Sequence, residues 1–212
     1  MSLFSDHMLQ HEATRADIVS RCLAAQLGDE PPAPQLDLGD TQLPNGDWVK
    51  TWLVHAADAV LLDAHGHIAL ITRLHNPGRG KLAVPGGLVD ALDDRMETSR
   101  EAALREAMEE TGISPLLLAH AQIDQIGHRA FARPFDIRRA WGNVPGTDVR
   151  PGELFTVSTL GFRVLLPGNL RDIPLEAGDD AKGVGVFQVS ELDDNAFAVP
   201  DHPQMIRAAL AL

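Results

Sequence analysis

The chain has 212 residues, enough for one domain with an appendage and a sizeable buried core, and its formal net charge is −12. That acidity disfavours nonspecific binding to nucleic acid or to an anionic membrane surface, both of which reward clustered Lys and Arg. A single cysteine, Cys22, excludes an internal disulfide, and no apolar run approaches the ~18 residues of a membrane span, so a cytoplasmic protein is expected.

Residues from about Ser5 to Leu27 place Met8, Ala16, Val19, Leu23 and Leu27 among good helix formers, which predicts an amphipathic helix. Gly28 to Pro34 stops it and reads as a linker, and the region to about Asp47 has room for a short strand. Residues 1–47 thus form an arm, and 48–212 the main domain. The arm has an apolar stripe and few residues of its own to bury it against, which predicts a homodimer completed by the arm.

Thr51 to Leu62 and Ile68 to Leu74 read as strands joined by a turn at Asp63-Ala64-His65-Gly66. His65 and His67 flank that turn and read as solvent-exposed, and His55 and Asp58 read as polar edge positions. Lys81 to Val84 is a short strand that delivers Pro85-Gly86-Gly87, where glycine lets the backbone approach a ligand closely.

The next helix is delimited from both sides. Thr98-Ser99-Arg100-Glu101 has capping-box spacing and Gly112 suits a left-handed terminus, so the helix spans about Ser99 to Thr111. Residues three and four apart share a helix face, so Glu106, Glu109 and Glu110 project together. Like charges at that spacing cost roughly 0.2–0.5 kcal/mol per pair, and a plain solvated helix would interleave lysine. A cation is expected there, and clustered carboxylate oxygens suit Mg²⁺ or Mn²⁺.

With Pro85-Gly86-Gly87 upstream, Glu97 just before the helix and Arg105-Glu106-Ala107-Met108-Glu109-Glu110-Thr111-Gly112-Ile113 within and after it, the chain resembles the Nudix hydrolases. Their pattern is G-x5-E-x7-R-E-U-x-E-E-x-G-U, with U aliphatic. From Glu97 onward the spacing matches throughout. Nine residues, Leu88 to Met96, separate Gly87 from Glu97 where the family has five, which reads as a four-residue insertion around Asp93-Asp94-Arg95-Met96.

Beyond the helix, Leu116 to Gln125 reads as a strand. The irregular stretch from His128 to Glu153 is long enough to suggest a functional loop. It holds Phe131, Phe135 and Trp141, rings that either stack on a nucleobase, at ~1–3 kcal/mol per base, or anchor the loop to the core. Leu154 to Leu166 and Gly183 to Val189 read as strands, and Asp201 to Leu212 as a closing helix.

Ala177-Gly178-Asp179-Asp180-Ala181, the His55-Ala56-Ala57-Asp58 strand, Pro85 to Asp90 and Phe135-Asp136-x-Arg138 resemble, in order and position, the ADP-ribose pyrophosphatase branch of that family. The resemblance implies an α/β fold, an α/β/α sandwich around a mixed sheet, and Mg²⁺-dependent hydrolysis of ADP-ribose to AMP and ribose 5-phosphate. It further implies that the Gly87 carbonyl, Glu106, Glu109 and Glu110 hold the metal and that Arg105 orients Glu97. The general base is either Glu106 or a member of the late group Glu176, Asp179 and Asp180. Phe131, Phe135, Trp141, Arg138 and Asp179 become substrate-contact candidates. Other diphosphates, such as NADH, nucleotide sugars or diadenosine polyphosphates, are the rival substrates, and a noncatalytic ADP-ribose sensor is the rival class.

Overall fold

A computed structural model describes residues 12–25, 31, 33–76, 78–126, 137–178 and 181–212. Phe131, Phe135, Asp179 and Asp180 lie outside the described residues. The fold is of the expected α/β class, a mixed sheet with helices, and the N-terminal helix is present. Two compact units divide the chain, one drawn from Met1–Ala56, Leu88–Thr98 and Ala132–Ser158, the other from Ala57–Gly87, Ser99–Phe131 and Thr159–Leu212.

The first unit contains α1 (Glu12–Ala24), β1 (Gln35–Gln42), the start of β2 (Trp48–Leu62), β7 (Ile137–Arg139) and the start of β8 (Leu154–Leu165). β1 runs antiparallel to β2, with Gln35 opposite Val54 and Gln42 opposite Trp48. Ile18 and Cys22 of α1 are buried against Leu43, Leu53, Ile137 and Leu154. Arg21, one turn on from Asp17, donates to the Leu38 carbonyl and to Thr41 Oγ1, which ties the polar flank of α1 to β1. The face of α1 that its own chain buries is therefore Ile18 and Cys22 rather than the expected stripe, in which Ala16 is exposed and Val19 half-buried.

The second unit carries β3 (His67–Arg73), β4 (Leu82–Ala83), α2 (Ser99–Thr111), α3 (Pro115–Ala119), β6 (Gln122–Gln125), β9 (Ala181–Gln188) and α4 (His202–Leu210), together with the remainders of β2 and β8. β5 (Gly86–Leu88) pairs with β2. β9 pairs along the length of β3, and the other edge of β3 is shared end to end by β2, at Ile68 and Ala69, and β4, at Ile71 and Thr72. The core joins Val60, Leu62, Ile68 and Leu70 from the strands and Val84, just after β4, to Met205, Ile206 and Ala209 from α4.

Three readings change in this unit. Leu116 begins no strand: Ser114 caps a short helix by accepting the Leu117 N–H, Pro115 presets its first turn, and β6 starts only at Gln122. His67 is buried, its Nδ1 2.8 Å from Asp63 Oδ2, whereas His65 is exposed as expected. Asp58 is buried as well, and so, in the first unit, is His55, because β2 is flanked by other strands rather than lying at an edge. Among the described residues no helix is long and apolar enough to cross a membrane.

Candidate active site

α2 begins and ends where capping chemistry predicts. Ala102, Ala103 and Ala107 form a buried, small-residue face, which leaves Glu106 half-buried and Glu109 exposed, while Glu110 is buried. Gly112, at φ +66°, ends the helix in the left-handed region, and its N–H donates to the Met108 carbonyl at 2.9 Å. The late loop satisfies two more of the terminal carbonyls: the Glu176 N–H donates to Thr111 O at 2.9 Å and the Gly178 N–H to Glu110 O at 3.4 Å. A side chain at 178 would have its Cβ 2.5 Å from Glu109 O, so glycine is what lets this loop close on the helix end. Glu176 is thereby brought, solvent-exposed, to the same end of α2 as Glu109 and Glu110.

The three helix glutamates occupy unlike environments. Glu109 is exposed and pairs with Arg105 at 2.9 Å, and the same Arg105 Nη1 donates to Glu106 Oε1 at 2.8 Å. Glu106 lies directly against the glycine loop, since a Cβ on Gly87 would collide with its carboxylate. Glu110 is buried, at 4% exposure, and its Oε2 accepts the Gly86 N–H at 2.9 Å. Burial pushes its carboxyl up to about 8, with Glu106 and Asp58 adding to the shift and the Gly86 N–H and Arg73 opposing it.

Glu97 belongs to the first unit. It is buried, its Oε2 accepts the Asp90 N–H at 3.1 Å, and its own N–H donates to Asp90 O at 3.0 Å. Ala91 and Met96 form an antiparallel bridge, so the insertion loops out as Leu92 to Arg95 and closes on itself through the Leu92 N–H to Arg95 O. With those residues set aside, five remain between Gly87 and Glu97. Arg138, in β7 opposite Phe155, is half-buried, and Trp141 is 74% exposed, so this ring does not anchor the loop.

Sequence reasoning missed His202. Its Nδ1 accepts the Val84 N–H at 3.0 Å, and its Nε2 stands 3.3 Å from Asp58 Oδ2. Nothing in the local pattern announces this contact, since a histidine before a proline at a helix start reads only as a terminus.

Among the described residues no three His, Cys, Asp or Glu side chains are gathered tightly enough to hold a metal ion. Glu109 is directed to Arg105 and Glu110 to the Gly86 N–H. The donor set still fits a hard divalent ion. All the groups are oxygens, and burial beside Glu106 and Asp58 holds Glu110 against ionisation, a deficit of positive charge that such an ion would fill.

The NUDIX domain family model matches residues 52–208. The chain belongs to the Nudix family. An ADP-ribose pyrophosphatase of Methanocaldococcus jannaschii is 30% identical over 156 residues, covering 73% of this chain and 73% of that protein. Among solved structures, the NUDIX domain of Shewanella oneidensis NrtR complexed with ADP ribose is 20% identical, covering 74% of this chain and 86% of that one at a TM-score of 0.49. A bifunctional NMN adenylyltransferase/ADP ribose pyrophosphatase from Francisella tularensis, with AMP and Mn, is 22% identical, covering 94% and 47% at a TM-score of 0.45. Nudix hydrolases generally use divalent metals such as Mg²⁺ or Mn²⁺, in keeping with the acidic face of α2.

Proposed function

We propose that this Nudix protein hydrolyses the diphosphate bond of a nucleoside diphosphate derivative, with ADP-ribose as its best substrate and AMP and ribose 5-phosphate as products. The carrying observation is the acidic face of α2 against Gly86 and Gly87, with Glu110 buried and starved of positive charge. The Methanocaldococcus jannaschii relative named ADP-ribose pyrophosphatase, at 30% identity, supports the choice of substrate.

Glu106, Glu109 and Glu110, with the Gly87 carbonyl, would hold Mg²⁺ or Mn²⁺. When bound, that ion neutralises charge developing on the diphosphate and favours ionisation of a water. Arg105 keeps Glu106 and Glu109 in register through its two short bonds. The base that takes the proton of the attacking water is assigned to the late loop, Glu176 or Asp180, over Glu106. Support for this comes from the backbone bonds that fasten Glu176 and Gly178 to the carboxyl end of α2, leaving the Glu176 side chain in solvent. Asp179, Arg138, Phe131, Phe135 and Trp141 are the proposed substrate contacts, the aspartate for hydroxyls of the terminal ribose, the arginine for a phosphate and the rings for adenine. A cytoplasmic setting suits these substrates.

Turnover of a panel of diphosphates, with products separated by chromatography, tests this reading. We expect kcat/KM for ADP-ribose to exceed that for NADH, nucleotide sugars, diadenosine polyphosphates and dATP by at least ~10-fold, about 1.4 kcal/mol of transition-state preference. Glu109→Gln and Glu110→Gln should each lower kcat by on the order of 10²-fold. Better turnover of another diphosphate overturns the substrate, and near-wild-type rates in both variants overturn the metal assignment.

A further inference from the structure

At Val84 the β4 ladder has ended, since β4 pairs with β3 only through Leu82 and Ala83. The next backbone donor is nevertheless buried and held, and its acceptor is a side chain from the far end of the chain, His202 Nδ1 at 3.0 Å. An imidazole nitrogen that accepts from a backbone amide carries no proton, so the proton sits on Nε2. Nε2 faces Asp58 Oδ2 at 3.3 Å, with both side chains buried. The other oxygen, Asp58 Oδ1, occupies the place a Cβ would need on residue 86, so Gly86 threads past that carboxylate.

The residues that follow Val84 are fixed in turn. Pro85 O accepts the Ala59 N–H at 2.8 Å, the Gly86 N–H donates to Glu110 Oε2 at 2.9 Å, and Gly87 lies against the Glu106 carboxylate. We infer that His202 and Asp58 are positioning residues for the Nudix reaction: together they set where residues 84–87 present their backbone to Glu110 and Glu106. This rests on the reading of α2 as the metal face. Imidazole suits the task because one rigid ring accepts from the loop on one side and donates to Asp58 on the other. Without it, Val84 loses its acceptor, and Asp58 faces Glu110 with its charge no longer tied down by a donor.

The test compares His202→Leu, which removes both bonds, with His202→Asn, whose Oδ1 can still accept from Val84, and His202→Gln, whose amide reaches only toward Asp58. Hydrogen exchange of the metal-free proteins is followed at residues 84–87, and Mn²⁺ binding by the electron paramagnetic resonance of the free ion. His202→Leu should melt cooperatively, exchange faster at 84–87 and bind Mn²⁺ about tenfold more weakly, a loss typical of groups that orient metal ligands. His202→Asn should recover most of the exchange protection. If His202→Leu does not fold, Asn should protect 84–87 better than Gln. Wild-type exchange and Mn²⁺ affinity in a folded His202→Leu overturn the inference alone, as does equality of Asn and Gln where Leu is unfolded. A wild-type protein that binds no Mn²⁺ overturns the metal reading and the inference with it.

Discussion

Asp63 shows how one buried carboxylate can organise a turn. Burial by itself would raise its pKa, yet the N–H groups of Leu170, His67 and His65 and the His67 ring outweigh that and hold it down to about 2. A depressed folded-state pKa contributes stability that is present above the unfolded value near 4 and is lost as pH falls through about 2. The gap corresponds to about 2 kcal/mol, good to order of magnitude. Asp63→Asn should therefore lower the urea midpoint at pH 7 and make the midpoint less sensitive to acid between pH 4 and 2. An unchanged acid dependence in the Asp63→Asn variant would remove Asp63 from this role. At this scale the sequence was legible where chemistry is written in local spacing, as in Arg105, Glu106, Glu109 and Glu110. It was silent about His202 and Asp58, whose contact depends on where a distant helix and a strand meet.

α2 was read to its true ends, Ser99 and Thr111, because a capping sequence and Gly112 act within a few residues of the boundary. The stretch after Leu116 was misread because a run of leucines is equally apolar on a helix and on a strand. Ser114 and Pro115 decided it by capping the helix. The insertion between Gly87 and Glu97 belongs to the same scale. Its ends are bridged at Ala91 and Met96, and Asp90 and Glu97 exchange two hydrogen bonds beneath it. Deleting Leu92 to Arg95, which restores the family spacing, should change kcat for ADP-ribose by less than ~3-fold and stability by about 1 kcal/mol or less, as for other exposed loops. A collapse of activity in a folded deletion variant would show that the loop contributes to the site.

For the molecule as a whole, the fold class was legible through the family resemblance that the motif around α2 carries, whereas the burial of Ile18 and Cys22 was not, since their partners come from separate segments. Removing residues 1–34 strips Ile18 and Cys22 from Leu43, Leu53, Ile137 and Leu154. That should cost about 3 kcal/mol or more and lower the melting temperature by roughly 6–12 °C. Light scattering on the same samples reads the oligomeric state, and a truncated protein that melts like the intact one while halving in mass would show that the arm completes a dimer. The order in which α1 and its partners are synthesised has its own consequence. Ile137 and Leu154 leave the ribosome more than a hundred residues after Ile18. At ~5–20 residues per second the helix waits on the order of ten seconds with that side of its apolar face uncovered. During synthesis, then, α1 is a natural client for a nascent-chain chaperone until β7 and β8 arrive.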